Sequence, residues 1–173
     1  YIFFIHFSWI VQKKIIERYE CVCFHMTDLP YGRGGSPLQN LIIRGHKNTI
    51  LSSIKMESSI DTGPIYYKKK FDLNGSAYDI YKRMSKLCWD MIKDFVNKQP
   101  IPKPQKGKFV NFKRRIPSQS LIPKGLELDQ IYDYIRMLDA PGYPKAFVET
   151  NEFRMEFREA RKYRGRLIAT VEF

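Results

Sequence analysis

Hydrophobic and polar positions recur along the chain with two periods, which predict a succession of strands and helices. A continuous apolar run at residues 1–5 predicts a fully buried strand, and residues 20–24 predict a second strand. Between them, residues 11–18 place their apolar side chains on one helical face. A strand, a helix and a strand in this order predict a right-handed crossover and therefore a parallel sheet.

The next segment of the chain predicts a loop and a short helix. Residues 27–35 contain one proline and three glycines, which is typical of an ordered loop with unusual backbone angles. Ser36 and Pro37 then predict the start of a helix that ends near residue 44. Because ligands collect at the carboxyl ends of parallel strands, His25, which follows the second strand, is a candidate functional residue.

Two more strands and a long helix follow. Residues 50–56 and 65–71 predict strands joined by a turn at residues 58–64. Ser76 predicts the cap of an amphipathic helix over residues 77–98 that covers the sheet. Its expected buried stripe consists of Ile80, Met84, Leu87, Met91, Ile92 and Phe95.

The carboxyl-terminal part of the chain predicts a linker and a small extension. Three prolines and several lysines in residues 99–108 indicate an extended segment that crosses the surface. Beyond it we expect a helix at residues 128–138 and strands at residues 146–149, 153–157 and 167–173. The predicted domains are a catalytic core at residues 1–98, a linker at 99–124 and a small α+β extension at 125–173.

The chain opens on Tyr1, directly within a predicted strand. A buried strand of a parallel sheet needs neighbours on both sides. We therefore expect an amino-terminal portion, with further strands of the sheet, to precede Tyr1.

Composition and charge narrow the functional classes. A hydrophobic fraction of 43% predicts a packed globular interior, and no apolar stretch approaches the roughly 20 residues that span a bilayer, so no membrane partner is expected. Three cysteines, an odd number, favour a reduced, cytoplasmic protein. No second Cys or His cluster supplies a metal site. A net charge of +12 favours polyanionic partners such as nucleic acid or a phosphorylated small molecule.

Two motifs carry the chemistry. HMTDLPYGRGGSPLQNLI spans residues 25–42, and IDTGPIY spans residues 60–66. Together with FKRRIPSQS at 112–120 and IRMLDAPGYPKAFV at 135–148, they resemble the 10-formyltetrahydrofolate-dependent formyltransferases. That family includes methionyl-tRNA, glycinamide ribonucleotide and sugar-nucleotide formyltransferases, and the resemblance implies an α/β, Rossmann-like core.

The resemblance implies a set of site residues. His25 and Asp61 correspond to the family's catalytic pair, at a separation that fits the family, whereas Cys23 stands where the family has an asparagine. An asparagine amide would donate to the developing oxyanion, and a thiol is a poor substitute. The implied folate-binding residues are Leu29, Pro30, Glu57, Ile60 and Asp61, with the backbone of residues 57–61 recognising the pterin ring; the implied substrate-binding residues are Arg33 and Gly34.

The implied mechanism begins with attack of a primary amine on the formyl carbon, which places negative charge on the formyl oxygen. His25 would donate to that oxygen, and Asp61 would orient the imidazole or accept the amine proton through a water molecule. Arg33 has two interpretations: it faces an anionic substrate group or the folate tail, or it forms a salt bridge that fixes the glycine-rich loop.

Three functional hypotheses remain open from the sequence. The leading one is formyl transfer to a nucleotide-linked amino sugar, which is motivated by the short carboxyl-terminal region. The second is methionyl-tRNA formyltransferase, which the net charge supports and which makes tRNA a candidate partner. The third is an inactive formyltransferase-like fragment that acts as a binding module, and a homo-oligomer is compatible with each of them.

Overall fold

Nine strands and four α-helices make up the chain, and the computed structural model describes all of residues 1–173. The α/β class predicted from the sequence is confirmed. The elements in chain order are β1 (Ile2–Phe4), α1 (Lys13–Arg18), β2 (Cys21–His25), β3 (Tyr31–Gly34), α2 (Pro37–Ile43), β4 (Asn48–Lys55), β5 (Ile65–Asp72), α3 (Ala77–Lys98), β6 (Val110–Phe112), α4 (Leu128–Arg136), β7 (Ala146–Glu149), β8 (Arg154–Tyr163) and β9 (Arg166–Glu172).

The largest sheet has four strands in the order β1-β2-β4-β5. The predicted parallel pairing holds for β1 and β2, which α1 connects. The pairs β2–β4 and β4–β5 are antiparallel, so the sheet is mixed rather than wholly parallel. A short turn joins β4 to β5, and a connection of that length can close only an antiparallel hairpin.

Strand β1 differs from its prediction as a fully buried strand. It lies at the edge of the four-stranded sheet, and all three of its residues are half-buried. Phe3 nevertheless packs its ring edge-on against Phe95, with ring centroids 5.3 Å apart. This contact joins β1 to a cluster that contains Val22, Tyr66 and Phe95. An edge strand can therefore carry a continuous apolar sequence and still be only partly covered.

Helix α3 spans the predicted residues, and Ser76 caps it as expected. The Ser76 hydroxyl accepts a hydrogen bond from the Asp79 backbone N–H at 3.2 Å, and the Asp79 carboxylate accepts one from the Ser76 backbone N–H at 3.0 Å. The buried stripe contains Cys88, whereas Leu87 and Ile92 are half-buried. Its members Ile80, Met84, Cys88, Met91 and Phe95 follow the spacing of one helical face.

The segment predicted as a surface linker forms ordered backbone contacts. Lys103 exchanges two backbone hydrogen bonds with Ile65, each 2.8 Å long, at the start of β5. Strand β6 then pairs in parallel with β3, which the sequence prediction had left within a loop. The register places Gly34 opposite Phe112. The linker therefore runs alongside the glycine-rich loop rather than away from it.

The chain divides into two compact units. The first contains residues 1–37, 48–72 and 82–113, and the second contains residues 38–47, 73–81 and 114–173. The sequence-based division at residues 98 and 125 stays a prediction. None of the helices combines the length and the apolar character needed to cross a bilayer.

The second unit contains the antiparallel sheet β7-β8-β9 and helix α4. The three strands predicted for the extension are confirmed, and β8 continues to Tyr163, beyond its predicted end, with a bulge between Arg158 and Arg161. Arg136, at the end of α4, is buried and donates hydrogen bonds to the carbonyl oxygens of Leu73 and Gly75 at 2.5 and 2.9 Å.

Candidate active site

His25 is the last residue of β2 and is buried, with 8% of its surface exposed. Its Nε2 atom lies 2.7 Å from the carbonyl oxygen of Gly32. Because a carbonyl oxygen can only accept, this nitrogen carries a proton and donates. Its Nδ1 atom lies 3.5 Å from Oδ2 of Asp61. The ring is therefore held between the glycine-rich loop on one side and a carboxylate on the other.

Asp61 reaches this position from the turn between β4 and β5. Its backbone adopts a φ of 55°, a left-handed conformation that aspartate tolerates better than most residues. Its Oδ2 atom accepts a hydrogen bond from the Gly34 backbone N–H at 2.8 Å. The structure thus brings His25, Gly34 and Asp61 together, although they come from three separate segments.

The glycine-rich loop owes its course to two glycines that pack against β6. Gly34 has a φ of 102°, and a Cβ atom there would lie 2.5 Å from the carbonyl oxygen of Phe112. A Cβ atom on Gly32 would lie 2.6 Å from the Thr27 side chain. Larger residues would push the loop away from β6 and take the Gly32 carbonyl away from His25. The two glycines are therefore needed for the loop to pack on β6 and to place the Gly32 carbonyl against His25.

The turn at residues 56–64, hereafter the Asp61 turn, also packs closely against β4. A Cβ atom on Gly63 would lie 1.8 Å from the carbonyl oxygen of Lys55, which is far shorter than any non-bonded contact. The backbone N–H of Lys55 in turn donates to the carbonyl oxygen of Pro64 at 2.9 Å. Glycine is consequently the only residue that lets the turn lie at this distance from the strand.

Cys23 lies two residues before His25 on the same strand, so both side chains point to one face of the sheet. Desolvation of the half-buried thiol raises the pKa of Cys23 to about 12, and the negative charge of Asp61 acts in the same direction. At neutral pH the side chain is therefore a neutral thiol. It can act as a weak hydrogen-bond donor but not as a thiolate nucleophile.

We expect Cys23 to resist alkylation, with a labelling rate that climbs about tenfold per pH unit from pH 8 to pH 11, since only the thiolate reacts. Asp61→Asn should speed labelling at a given pH because it removes the neighbouring negative charge. Iodoacetamide labelling followed by tandem mass spectrometry distinguishes Cys23 from Cys21. A rate that levels off below pH 9 would contradict the raised pKa.

The residues implied for folate binding occupy two different environments. Leu29 and Pro30 are buried, their peptide bond is cis, and the Leu29 carbonyl oxygen accepts from Lys68 Nζ at 2.7 Å. Glu57 and Ile60 lie exposed in the Asp61 turn, and their backbone N–H groups donate no hydrogen bond to another backbone group. The first two residues shape the loop from within, whereas the second two lie on the surface of the turn, and their role in folate binding stays a prediction.

Arg33 bonds to a neutral side chain of the linker rather than to a carboxylate. Its Nε and Nη2 atoms donate to Oε1 of Gln105 at 3.1 and 2.7 Å, and its guanidinium lies 5.8 Å from the ring centroid of Phe109. The interpretation of Arg33 as a salt-bridge residue is therefore wrong, because its partner is the neutral amide of Gln105, and the interpretation as a substrate-binding residue stays a prediction. Arg33 nevertheless anchors the glycine-rich loop, through its two hydrogen bonds to Gln105.

Three contributors to the site were missed in the sequence. Gln105 carries no motif and stands in a segment rich in proline and lysine. Thr27 and Ser52 are buried, and the Ser52 hydroxyl donates to the Thr27 carbonyl oxygen at 2.7 Å, while the Thr27 hydroxyl donates to the Gly32 carbonyl oxygen at 3.3 Å. The only available signal was the pair of adjacent serines, Ser52 and Ser53, between the apolar residues Leu51 and Ile54 of β4.

Comparison with known proteins identifies the family. The family described as methionyl-tRNA formyltransferase, C-terminal domain, matches residues 117–173. A methionyl-tRNA formyltransferase from Rickettsia bellii is 31% identical over 118 residues, which cover 65% of this chain and 39% of that protein. The chain spans about half or less of the length of the curated relatives it matches.

Solved structures extend this match over almost the whole chain. A sugar N-formyltransferase from Shewanella shares the fold with a TM-score of 0.69 at 18% identity, covering 86% of this chain and 64% of that one. Methionyl-tRNA formyltransferase from Clostridium thermocellum superposes with a TM-score of 0.97 at 52% identity, covering 99% of this chain and 76% of that one. The chain therefore belongs to the methionyl-tRNA formyltransferase family.

Proposed function

We propose that this protein transfers a formyl group from 10-formyltetrahydrofolate to the amine of methionyl-tRNA. The observation that carries the proposal is the pair formed by His25 and Asp61, buried at the end of β2 and 3.5 Å apart. Family membership supports formyl transfer as the reaction. The much higher identity to a methionyl-tRNA enzyme than to a sugar enzyme favours tRNA over the amino-sugar acceptor expected from the sequence.

The proposed reaction forms one bond and breaks one. The amine nitrogen attacks the formyl carbon, and the tetrahedral intermediate carries negative charge on the former carbonyl oxygen. We assign His25 as the donor that stabilises this oxygen. The bond between the formyl carbon and N10 then breaks, and the proton lost by the amine passes to N10, so that tetrahydrofolate leaves. We assign Asp61 to orient the imidazole and to accept this proton through water.

The folate site that we propose lies at the Asp61 turn. A pterin ring is a flat heterocycle with several donors and acceptors on its edge, and open main-chain groups at Glu57 and Ile60 suit it. The buried Leu29 and Pro30 would form the opposite wall from within the loop. We propose Gly34 and Arg33 as the part of the loop that borders the acceptor, with Arg33 acting through its hold on Gln105.

The proposed acceptor suits the charge of the extension at residues 125–173. Arg161, Arg164 and Arg166 are exposed around the turn that joins β8 to β9, beside the exposed ring of Tyr163. Guanidinium groups bind phosphate oxygens, and an aromatic ring stacks on bases. We propose that this turn contacts tRNA phosphates, which accords with a net charge of +12. A cytoplasmic location belongs to the same proposal.

Release of tetrahydrofolate tests the reaction directly. The purified protein is given 10-formyltetrahydrofolate with methionyl-tRNA, or with an amino-sugar nucleotide as the competing acceptor. We expect release only with the tRNA. Release only with the amino sugar would overturn the proposed acceptor, and release with neither would favour the inactive binding module.

We expect Asp61→Asn to lower kcat roughly tenfold to a hundredfold, because the loss of a charge-assisted hydrogen bond costs about 1.5–3 kcal/mol. The substitution is nearly isosteric, and its amide oxygen can still accept from the Gly34 N–H, so the melting temperature should change little. Steady-state kinetics with methionyl-tRNA measure the effect. An unchanged kcat would remove Asp61 from the mechanism.

We expect Arg164→Ala and Arg166→Ala each to lower the slope of log affinity for tRNA against log salt by about 1, as loss of one phosphate contact predicts. Lys13→Ala is the matched control, since Lys13 is an exposed cation of α1 that pairs with Glu17 at 3.3 Å. Fluorescence anisotropy with labelled tRNA at several salt concentrations gives the slopes. Equal slopes in all four proteins would exclude this turn as the contact.

A further inference from the structure

The side chain of Gln105 joins three parts of the first unit. Its Nε2 donates to the carbonyl oxygens of Asp61 and Gly63, both at 2.8 Å. Its Oε1 accepts two hydrogen bonds from Arg33, at 3.1 and 2.7 Å. Both N–H groups of the amide nitrogen and both lone pairs of the amide oxygen therefore form hydrogen bonds. Gln105 is half-buried, whereas its neighbours Pro104 and Lys106 are exposed.

The four bonds act on both sides of the candidate catalytic pair. Apart from the contacts of the Asp61 carboxylate itself, the turn is held at its base, where Gly63 and Pro64 contact Lys55 of β4. Arg33 belongs to β3, next to Gly34, whose N–H binds the Asp61 carboxylate at 2.8 Å. The amide of Gln105 thus closes a ring of hydrogen bonds that runs from Asp61 through Gln105, Arg33 and Gly34 back to Asp61.

The backbone around Gln105 explains why one amide can hold this position. On its amino side, Lys103 is fixed to Ile65 by two backbone hydrogen bonds. On its carboxyl side, Val110 donates to the Pro30 carbonyl oxygen and opens β6, which pairs with β3. Gln105 therefore lies between two anchored points, and its side chain is directed into the gap between the turn and the loop.

We propose that Gln105 is a positioning residue for Asp61, which sets the place of the carboxylate against His25 by tying the Asp61 turn to Arg33. Its hydrogen bonds go to the backbone of Asp61 and Gly63 and to Arg33, and none goes to the Asp61 carboxylate. Only glutamine combines the length of this side chain with two donors on one side and one doubly accepting oxygen on the other. The proposal rests on the proposed function for its kinetic consequence, but its structural consequence is independent of the reaction.

Two variants separate the positioning role from plain packing. Gln105→Met keeps the length and removes all four hydrogen bonds. Gln105→Glu keeps the acceptor for Arg33 but turns the donor to Asp61 and Gly63 into a second acceptor, which repels both carbonyl oxygens. Lys106→Met is the matched control, because Lys106 is an exposed neighbour on the same segment.

The first readout is hydrogen exchange of the Gly34 amide, measured by NMR on the full chain. In both Gln105 variants we expect exchange of this amide to become about tenfold faster, since its acceptor loses its fixed position; tenfold corresponds to about 1.4 kcal/mol, which is within the range for one hydrogen bond. Amides of β2 and the melting temperature should stay within the range of the Lys106→Met control. The second readout is kinetic: kcat should fall about tenfold, by more than KM for 10-formyltetrahydrofolate rises, although the turn that Gln105 holds also carries the proposed folate site.

Each outcome decides between the two proposals. Unchanged Gly34 exchange in both variants would overturn the positioning role, whatever the kinetics. Faster exchange with a higher KM for 10-formyltetrahydrofolate and an unchanged kcat would also overturn it, because Gln105 would then act on folate binding. Faster exchange in a protein whose parent form shows no formyl transfer would support the positioning role and overturn the proposed function alone.

Discussion

His25→Ala is expected to reduce kcat for formyl transfer to methionyl-tRNA by about a thousandfold, because removal of one oxyanion donor typically costs about a hundredfold to a thousandfold in rate. The loss should be larger than that for Asp61→Asn, since Asp61 acts on the reacting atoms mainly through the imidazole. Quench-flow measurement of the first turnover separates this chemical step from product release.

His46→Ala is the matched control, because His46 is a half-buried histidine that follows the end of α2 rather than standing at the end of β2. We expect it to leave kcat unchanged. His25→Ala also leaves a small buried space, so its melting temperature must be recorded beside its rate. A folded His25→Ala protein that retains a tenth or more of the parental kcat would rule out His25 as the oxyanion donor.

Local patterns predicted most elements of the fold because those elements carry their own signals. Helix α3 was predicted from Ala77 to Lys98, since its cap at Ser76 and its apolar stripe are both readable over six turns. The hairpin of β4 and β5 and the strands of the extension were likewise found, and only β8 runs more than two residues beyond its predicted end. These segments satisfy their sequence preferences without help from distant parts of the chain.

The pairing of two short strands that are distant in the sequence could not be predicted from local patterns. Strand β3 contains two glycines among four residues, and β6 has only three residues in a basic, proline-flanked region. The glycines weaken the strand propensity of β3 and the brevity of β6 hides its own, so their pairing is visible only in the structure.

The residues of the candidate site likewise fall into those that a local motif reveals and those that only the structure reveals. His25 and Asp61 were found because they stand in motifs whose order and spacing resemble a known family. Gln105 was not found, because a glutamine in a polar linker resembles any solvated residue and its role exists only through contacts with Asp61, Gly63 and Arg33. Motifs identify the residues that do chemistry more readily than those that hold them in place.

Gly63→Ala is expected to lower the free energy of unfolding by about 3 kcal/mol, at the upper end of the usual cost of overpacking, because the added methyl group meets backbone rather than a movable side chain. The clash is severe, since the new Cβ would lie 1.8 Å from the Lys55 carbonyl oxygen. Relief requires the turn to lift from β4, and this motion carries Asp61 away from His25. Urea denaturation measures the stability.

Gly45→Ala is the control that isolates the close approach from backbone strain. Gly45 has a φ of 78°, and a Cβ atom there would meet nothing within 4 Å, so we expect a loss of only about 1 kcal/mol from the left-handed conformation. Gly45→Ala should leave formyl transfer intact, whereas Gly63→Ala should lower kcat even under conditions where it is fully folded. If the two alanine variants were equally stable and equally active, the tight packing of the Asp61 turn on β4 would have no part in placing the carboxylate.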